Sequence, residues 1–151
     1  MSSNPDTTFA HIGVCVSDME RSSRFYTEAL GFVHHHSVAA GAPYGKLVEL
    51  EPFKYRASFF NRPGQKDGPM LELFAVETPG TTGSTERRPM NQLGLTHLSL
   101  VIDDLDAVLD RIVKCGGRVY AHTKVVTEKH GDIIFCTDPD GIRIELWRKP
   151  V

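Results

Sequence analysis

The sequence predicts an α+β fold of two tandem βαβββ modules, and three observations carry that expectation. An internal repeat comes first. The segment HIGVCVSDME from His11 is matched 86 residues on by HLSLVIDDLD from His97, with His and Asp in register and most apolar positions kept apolar. Second, the same offset relates Gly31 to Gly117, so each copy reads as strand, helix cap, helix and terminating glycine. Third, Asp138, Pro139, Asp140 and Gly141 place Pro second and Gly fourth in a turn that joins IIFCT to IRIELW as a hairpin. The two modules together are expected to form one curved, half-open, eight-stranded mixed sheet, with residues 1–8 as a tail, 9–76 as the first module, 77–94 as a linker and 95–149 as the second module.

The elements follow from the residues in order. From Phe9 to Val16 the chain alternates, with Ile12, Val14 and Val16 on one face and His11, Gly13 and Cys15 on the other, as in a half-buried strand. Asp18 stands at an N-cap position, Glu20 puts negative charge in the first turn, and Met19, Tyr26 and Leu30 fall near helical spacing before Gly31. Strands are expected over Phe32 to Val38, Ala57 to Asn61 and Met70 to Val76, while Gly41 to Phe53 has no clear periodicity. ETPGTTGSTERRPMNQLG reads as an exposed linker, its Arg87 and Arg88 as solubilising charge. In the second copy Asp104 caps a helix whose apolar stripe is Leu105, Val108, Leu109, Ile112 and Val113, stopped by Gly116 and Gly117. Weaker strand signals run from Arg118 to Val126 before the final hairpin.

Composition narrows the function. With 40% hydrophobic residues in 151, the chain can bury one real core. Seventeen basic against nineteen acidic residues leave a net charge of −2, which excludes a positive field for nucleic acid or an anionic membrane. The sequence has no apolar run long enough to span a bilayer, and its start lacks the basic-then-apolar order of a signal peptide, so a cytoplasmic location is expected. Cys15, Cys115 and Cys136, odd in number and without CxxC spacing, read as reduced thiols.

The chemistry-bearing residues recur with the modules. His11 and His97 each oppose the apolar face of a first strand, and Glu72 and Glu145 each oppose the apolar face of a last strand, between Leu71 and Leu73 and between Ile144 and Leu146. A lone strand His is ordinarily a hydrogen-bonded structural residue, and a lone Glu ordinarily faces solvent. Their recurrence in both copies points instead to two imidazoles and two carboxylates meeting at one divalent metal ion, since a carboxylate in an apolar strand needs a positive partner. Cys15, His34, Phe74, Ser99 and Arg143 are expected to line the pocket beside them. Cys15 shares the His11 face but lies about 13 Å along the strand, too far to share a small ion. Of the three consecutive histidines, alternation allows only His34 and His36 to share a face. His130 lies in a turn-like stretch between strands, and Trp147 shares the face of Glu145.

The first strand with its His, the helix DMERSSRFYTEALGF, the segment LTHLSLVIDDLDAVLDRIVKCGG and the ending FCTDPDGIRIELW together resemble the vicinal oxygen chelate superfamily, over nearly the whole chain. That superfamily includes glyoxalase I, methylmalonyl-CoA epimerase, extradiol dioxygenases and the fosfomycin and bleomycin resistance proteins, and the resemblance implies a glyoxalase-like barrel. In metal-using glyoxalase I the ligands are a His on the first strand and a Glu on the last strand of each module, which correspond here to His11, Glu72, His97 and Glu145. Two His and two carboxylates suit a redox-quiet Lewis acid, with Zn, Ni, Co, Mn or Fe as the candidate ions. The implied reaction is proton abstraction beside a carbonyl of a small-molecule substrate through an enediolate, with Glu145 as first choice for moving the proton and Glu72 as second. Asn61 stands where the epimerase has a proton-transferring acid, and Glu72 would be surplus to the fosfomycin-type site. The alternative from another class is a non-catalytic, bleomycin-resistance-type protein that sequesters a small molecule, or otherwise a dioxygenase or epimerase of the superfamily. Exposed sheet edges and the resemblance imply a homodimer.

Overall fold

The computed structural model describes residues 7–150. Residues 1–6, most of the expected tail and the start examined for a signal, lie outside the described residues. The chain divides into two compact units: the first runs to Met19 and resumes over Gly31–Thr81, and the second comprises Glu20–Leu30 and the chain from Thr82 onward.

In the first unit four strands, β1 (His11–Cys15), β2 (Val33–Ala40), β3 (Lys54–Asn61) and β4 (Met70–Thr78), form a sheet in the order β1-β4-β3-β2. β1 runs parallel to β4, and the other pairs are antiparallel. The period-2 alternation sorts the faces. Val14, Leu71, Leu73 and Phe60 are buried, whereas His11, Gly13, Glu72 and Phe59 lie on the opposite face. The stretch without clear periodicity contains a single helical turn, α2 (Gly45–Val48).

One expectation fails in β2. His34 pairs with Phe60 and His36 with Phe59, so a bulge inserts His35 as an extra residue. His34 and His36 consequently point to opposite faces rather than sharing one. His34 packs edge-on against Phe60 and its Nε2 lies 2.8 Å from the Ser37 hydroxyl, away from Glu72; His36 is the residue stacked on Phe59.

The second unit holds a helix, α1, that begins at Met19 in the first unit, runs through Arg24 and continues as a wider π-helical turn over Phe25–Ala29. Its partner is α3 (Leu105–Lys114), N-capped by Asp104, whose side chain accepts from the Ala107 amide at 3.0 Å. Leu105, Val108 and Ile112 form the buried stripe, but Val113, expected to join it, is 60% exposed. Phe25, Tyr26 and Ala29 are fully buried, and Arg111 Nε donates to the Ala29 carbonyl at 3.3 Å.

The second sheet has β5 (Leu98–Val101), β6 (Arg118–Val119), β7 (Val125–Thr127), β8 (Gly131–Thr137) and β9 (Arg143–Arg148), ordered β5-β9-β8-β6 with β7 also on β8. The expected eight-stranded sheet is thus, among the described residues, nine strands in separate sheets of four and five. The additional strand arises because a tight turn at Ala121–Thr123 splits the weak segment after α3. The predicted DPDG hairpin turn forms. Asp138 Oδ1 accepts from the amides of Asp140 and Ile142 at 2.9 and 2.8 Å, its Oδ2 accepts from the Tyr26 hydroxyl at 3.0 Å, and Arg21 pairs with Asp140 at 2.7 Å. Gly141 is required there: its φ is +86°, and a Cβ would stand 2.0 Å from the Thr85 carbonyl oxygen. No helix among the described residues is long and apolar enough to cross a membrane.

Candidate functional site

Parallel pairing of a first strand with a last strand places one imidazole beside one carboxylate in each unit. In the first, β1 pairs with β4 so that Gly13 is opposite Glu72, and His11 precedes it by one step on the same face. His11 Nε2 lies 3.2 Å from Glu72 Oε2. Gly13 makes the space, since a Cβ in its place would stand 3.3 Å from that oxygen. Phe59 flanks the pair, edge-on to His11 at 5.5 Å between ring centres and stacked on His36 at 4.5 Å. Phe74, two residues beyond Glu72, packs on Tyr55 at 4.8 Å. Burial, and secondarily the Glu72 charge, pushes the Tyr55 phenol up, so it remains a proton-bearing donor.

The second unit repeats the arrangement with different bracing. Ser99 occupies the place of Gly13 and is paired with Glu145 in register; its hydroxyl donates to Glu145 Oε1 at 2.7 Å. The other oxygen, Oε2, lies 3.9 Å from His97 Nε2. His97 immediately precedes β5, and its Nδ1 is 2.9 Å from the Thr96 hydroxyl. With Nδ1–H donating to that hydroxyl oxygen, the Nε2 lone pair is free for a ligand. Phe135, opposite Glu145 on β8, takes the role of Phe59 with its ring 5.4 Å from that of His97.

Neutral imidazole nitrogen and carboxylate oxygen are the donors that borderline divalent ions take. Two such donors in neighbouring positions around an ion, each at about 2.1 Å, stand roughly 3 to 3.5 Å apart. The separation in the first unit, 3.2 Å, already fits. In the second, the separation is longer, 3.9 Å. Each unit therefore brings two of the four expected ligands together, and no group of three His, Cys, Asp or Glu suited to an ion occurs among the described residues. Cys15 and Phe74 are paired in register on the Glu72 face, and Ser99 and Arg143 lie on the Glu145 face.

Sequence reasoning missed several residues here. The Gly13/Ser99 difference was visible at equivalent repeat positions, whereas Phe59 and Phe135 needed the strand register to be noticed. Arg87 and Arg88, expected to be merely solubilising, carry specific contacts. The Arg87 guanidinium lies 3.7 Å from the centre of the Tyr120 ring, and the Arg88 carbonyl accepts from Arg143.

The sequence profile of the Glyoxalase/Bleomycin resistance protein/Dioxygenase superfamily matches residues 8–146. The chain belongs to this superfamily. Among curated members, a lactoylglutathione lyase of Salmonella typhimurium is 30% identical over 139 residues, covering 90% of this chain and 88% of the relative. A probable lactoylglutathione lyase of Vibrio parahaemolyticus is 28% identical over 136 residues, covering 90% and 86%. A glyoxalase family protein from Bacillus cereus superposes with a TM-score of 0.83 over 100% of this chain and 99% of its own, at 17% identity, a likeness of fold.

Proposed function

We propose that the chain is a metal-dependent lyase or isomerase of the glyoxalase I type, moving a proton beside a carbonyl of a small substrate with vicinal oxygens. The observation that carries this reading is the recurrence, in both units, of an imidazole and a carboxylate from adjacent parallel strands on one sheet face. The names of the two lyase relatives, at 28% and 30% identity over most of their length, support the same reaction class.

His11, Glu72, His97 and Glu145 are the residues that would hold the divalent metal, in a monomer or a homodimer. Bound there, the ion would supply Lewis acidity toward the vicinal oxygens of the substrate. The chain's own residues do the rest. Ser99 donates to Glu145 Oε1 and orients the carboxylate, and Glu145 would take the proton from the carbon beside the carbonyl and return it to the neighbouring carbon. Thr96 orients His97, and Gly13 leaves room for Glu72 to adjust as charge develops. Phe59 and Phe135 wall the two pairs with apolar surface, which strengthens electrostatic interactions nearby.

The test is metal analysis of the purified protein, followed by turnover of the hemithioacetal of glutathione and methylglyoxal. We expect divalent metal in the protein and activity that chelation abolishes and added metal restores. Protein with only trace metal and no affinity for added Ni, Co, Mn or Zn would overturn the reading and leave small-molecule sequestration in its place.

A further inference from the structure

Beside the His97–Glu145 pair the second unit has a cavity of about 460 Å³ lined by Arg87, Arg88, Met90, Thr123, Phe135 and Arg143. Its three charged side chains are all cations, and among the described residues none of them forms an ion pair with Asp or Glu. Arg143 is only 7% exposed, and its Nε–H is buried without a hydrogen-bond partner. One of its terminal nitrogens donates to the Arg88 carbonyl, and its guanidinium lies 5.7 Å from the centre of the Phe135 ring. A guanidinium buried with a free N–H and two like charges nearby lacks the counter-charge that buried cations ordinarily have.

We propose that Arg143, with Arg87 and Arg88, forms an oxyanion site that takes a carboxylate or phosphate group of the substrate. The planar fork of a guanidinium matches two oxygens of either group. Placement adds the functional link. Arg143 lies two positions before Glu145 on the same face of β9, about 7 Å by strand rise, and Phe135 touches both the Arg143 guanidinium and the His97 ring. An anion held there would sit one small-molecule length from the carboxylate assigned to proton transfer. That link rests on the function proposed above; anion binding itself does not.

The test is isothermal titration of the purified protein at low ionic strength with inorganic phosphate and, separately, with succinate. One anion should bind per chain, and the tighter of the two identifies the group. Arg143→Met, which keeps an apolar stem, should weaken binding by about tenfold or more. Arg87→Gln combined with Arg88→Gln should weaken it by about threefold to tenfold. Failure of both anions to bind the wild-type protein, or equal affinity in wild type and both variants, would overturn the site. The same titration on Glu145→Gln separates the two proposals: retained anion binding with undiminished turnover would sink the proton-transfer assignment while the oxyanion site stood.

Discussion

The two His–Glu pairs descend from one repeated pattern yet are built for different behaviour. Glu72 lies within 3.2 Å of its histidine, in space that Gly13 leaves open. Glu145 stands 3.9 Å from its histidine and is held by the Ser99 hydroxyl at 2.7 Å. The difference resides in one residue, Gly13 against Ser99, at equivalent places in the repeat. It teaches that a repeat can keep residue type while changing its bracing: under the proposed function, a braced carboxylate would suit directed proton transfer and an unbraced one accommodation of charge.

The strongest challenge to this division is to neutralise each acid in turn. Glu145→Gln should lower kcat by about a thousandfold with metal still bound, and Glu72→Gln by about tenfold. Metal content and turnover measured together decide it, and equal losses would erase the distinction between the two pairs.

A second contrast concerns the chain connections preceding the two last strands. The one before β9 contains a buried acid, Asp138, whose carboxyl burial pushes up to about 6 in spite of the donors from Ile142, Tyr26 and Asp140. Because its folded-state value is raised from 3.8, its contribution to stability is complete below about 4 and is lost as pH rises through about 6, about 3 kcal/mol in all. Asp138→Asn can keep the acceptor for the turn amides, so its melting temperature should vary less between pH 4 and 7 than that of the wild type. Parallel melting curves for the two proteins would place the effect elsewhere.

Smaller effects probe the bracing itself. Ser99→Ala should cost about tenfold in kcat with KM little changed, since it frees the orientation of Glu145 without touching substrate binding. Gly13→Ala, which sets a methyl 3.3 Å from Glu72 Oε2, should lower kcat/KM about threefold. If the order of these two losses is reversed in steady-state kinetics, Glu72 is the proton-moving acid.

Much of this was legible before any coordinates. Alternation in HIGVC and IRIEL put His11 and Glu145 opposite their apolar neighbours, and local chemistry was sufficient for the Asp104 cap and the DPDG turn. The failures have physical causes. Alternation presumes an unbroken ladder, and the extra residue at His35 inverted the assignment of His34 against His36. The role of Arg88 depends on a contact with Arg143, 55 residues away, which no local pattern reveals. The distinct bracing of the two carboxylates likewise required strand register, because Ser99 and Glu145 are 46 residues apart.

Helix α1 has a bearing on how the duplicated halves can be handled. Residues Glu20–Leu30 lie between β1 and β2 in sequence but belong to the compact unit that contains α3 and β5 to β9. Severing the polypeptide in the Thr- and Gly-rich stretch would strand Phe25, Tyr26 and Ala29 from Arg111 and Asp138. The first copy lends its helix to the unit built on the second, so a cut where the two copies join would part that helix from the residues it packs against.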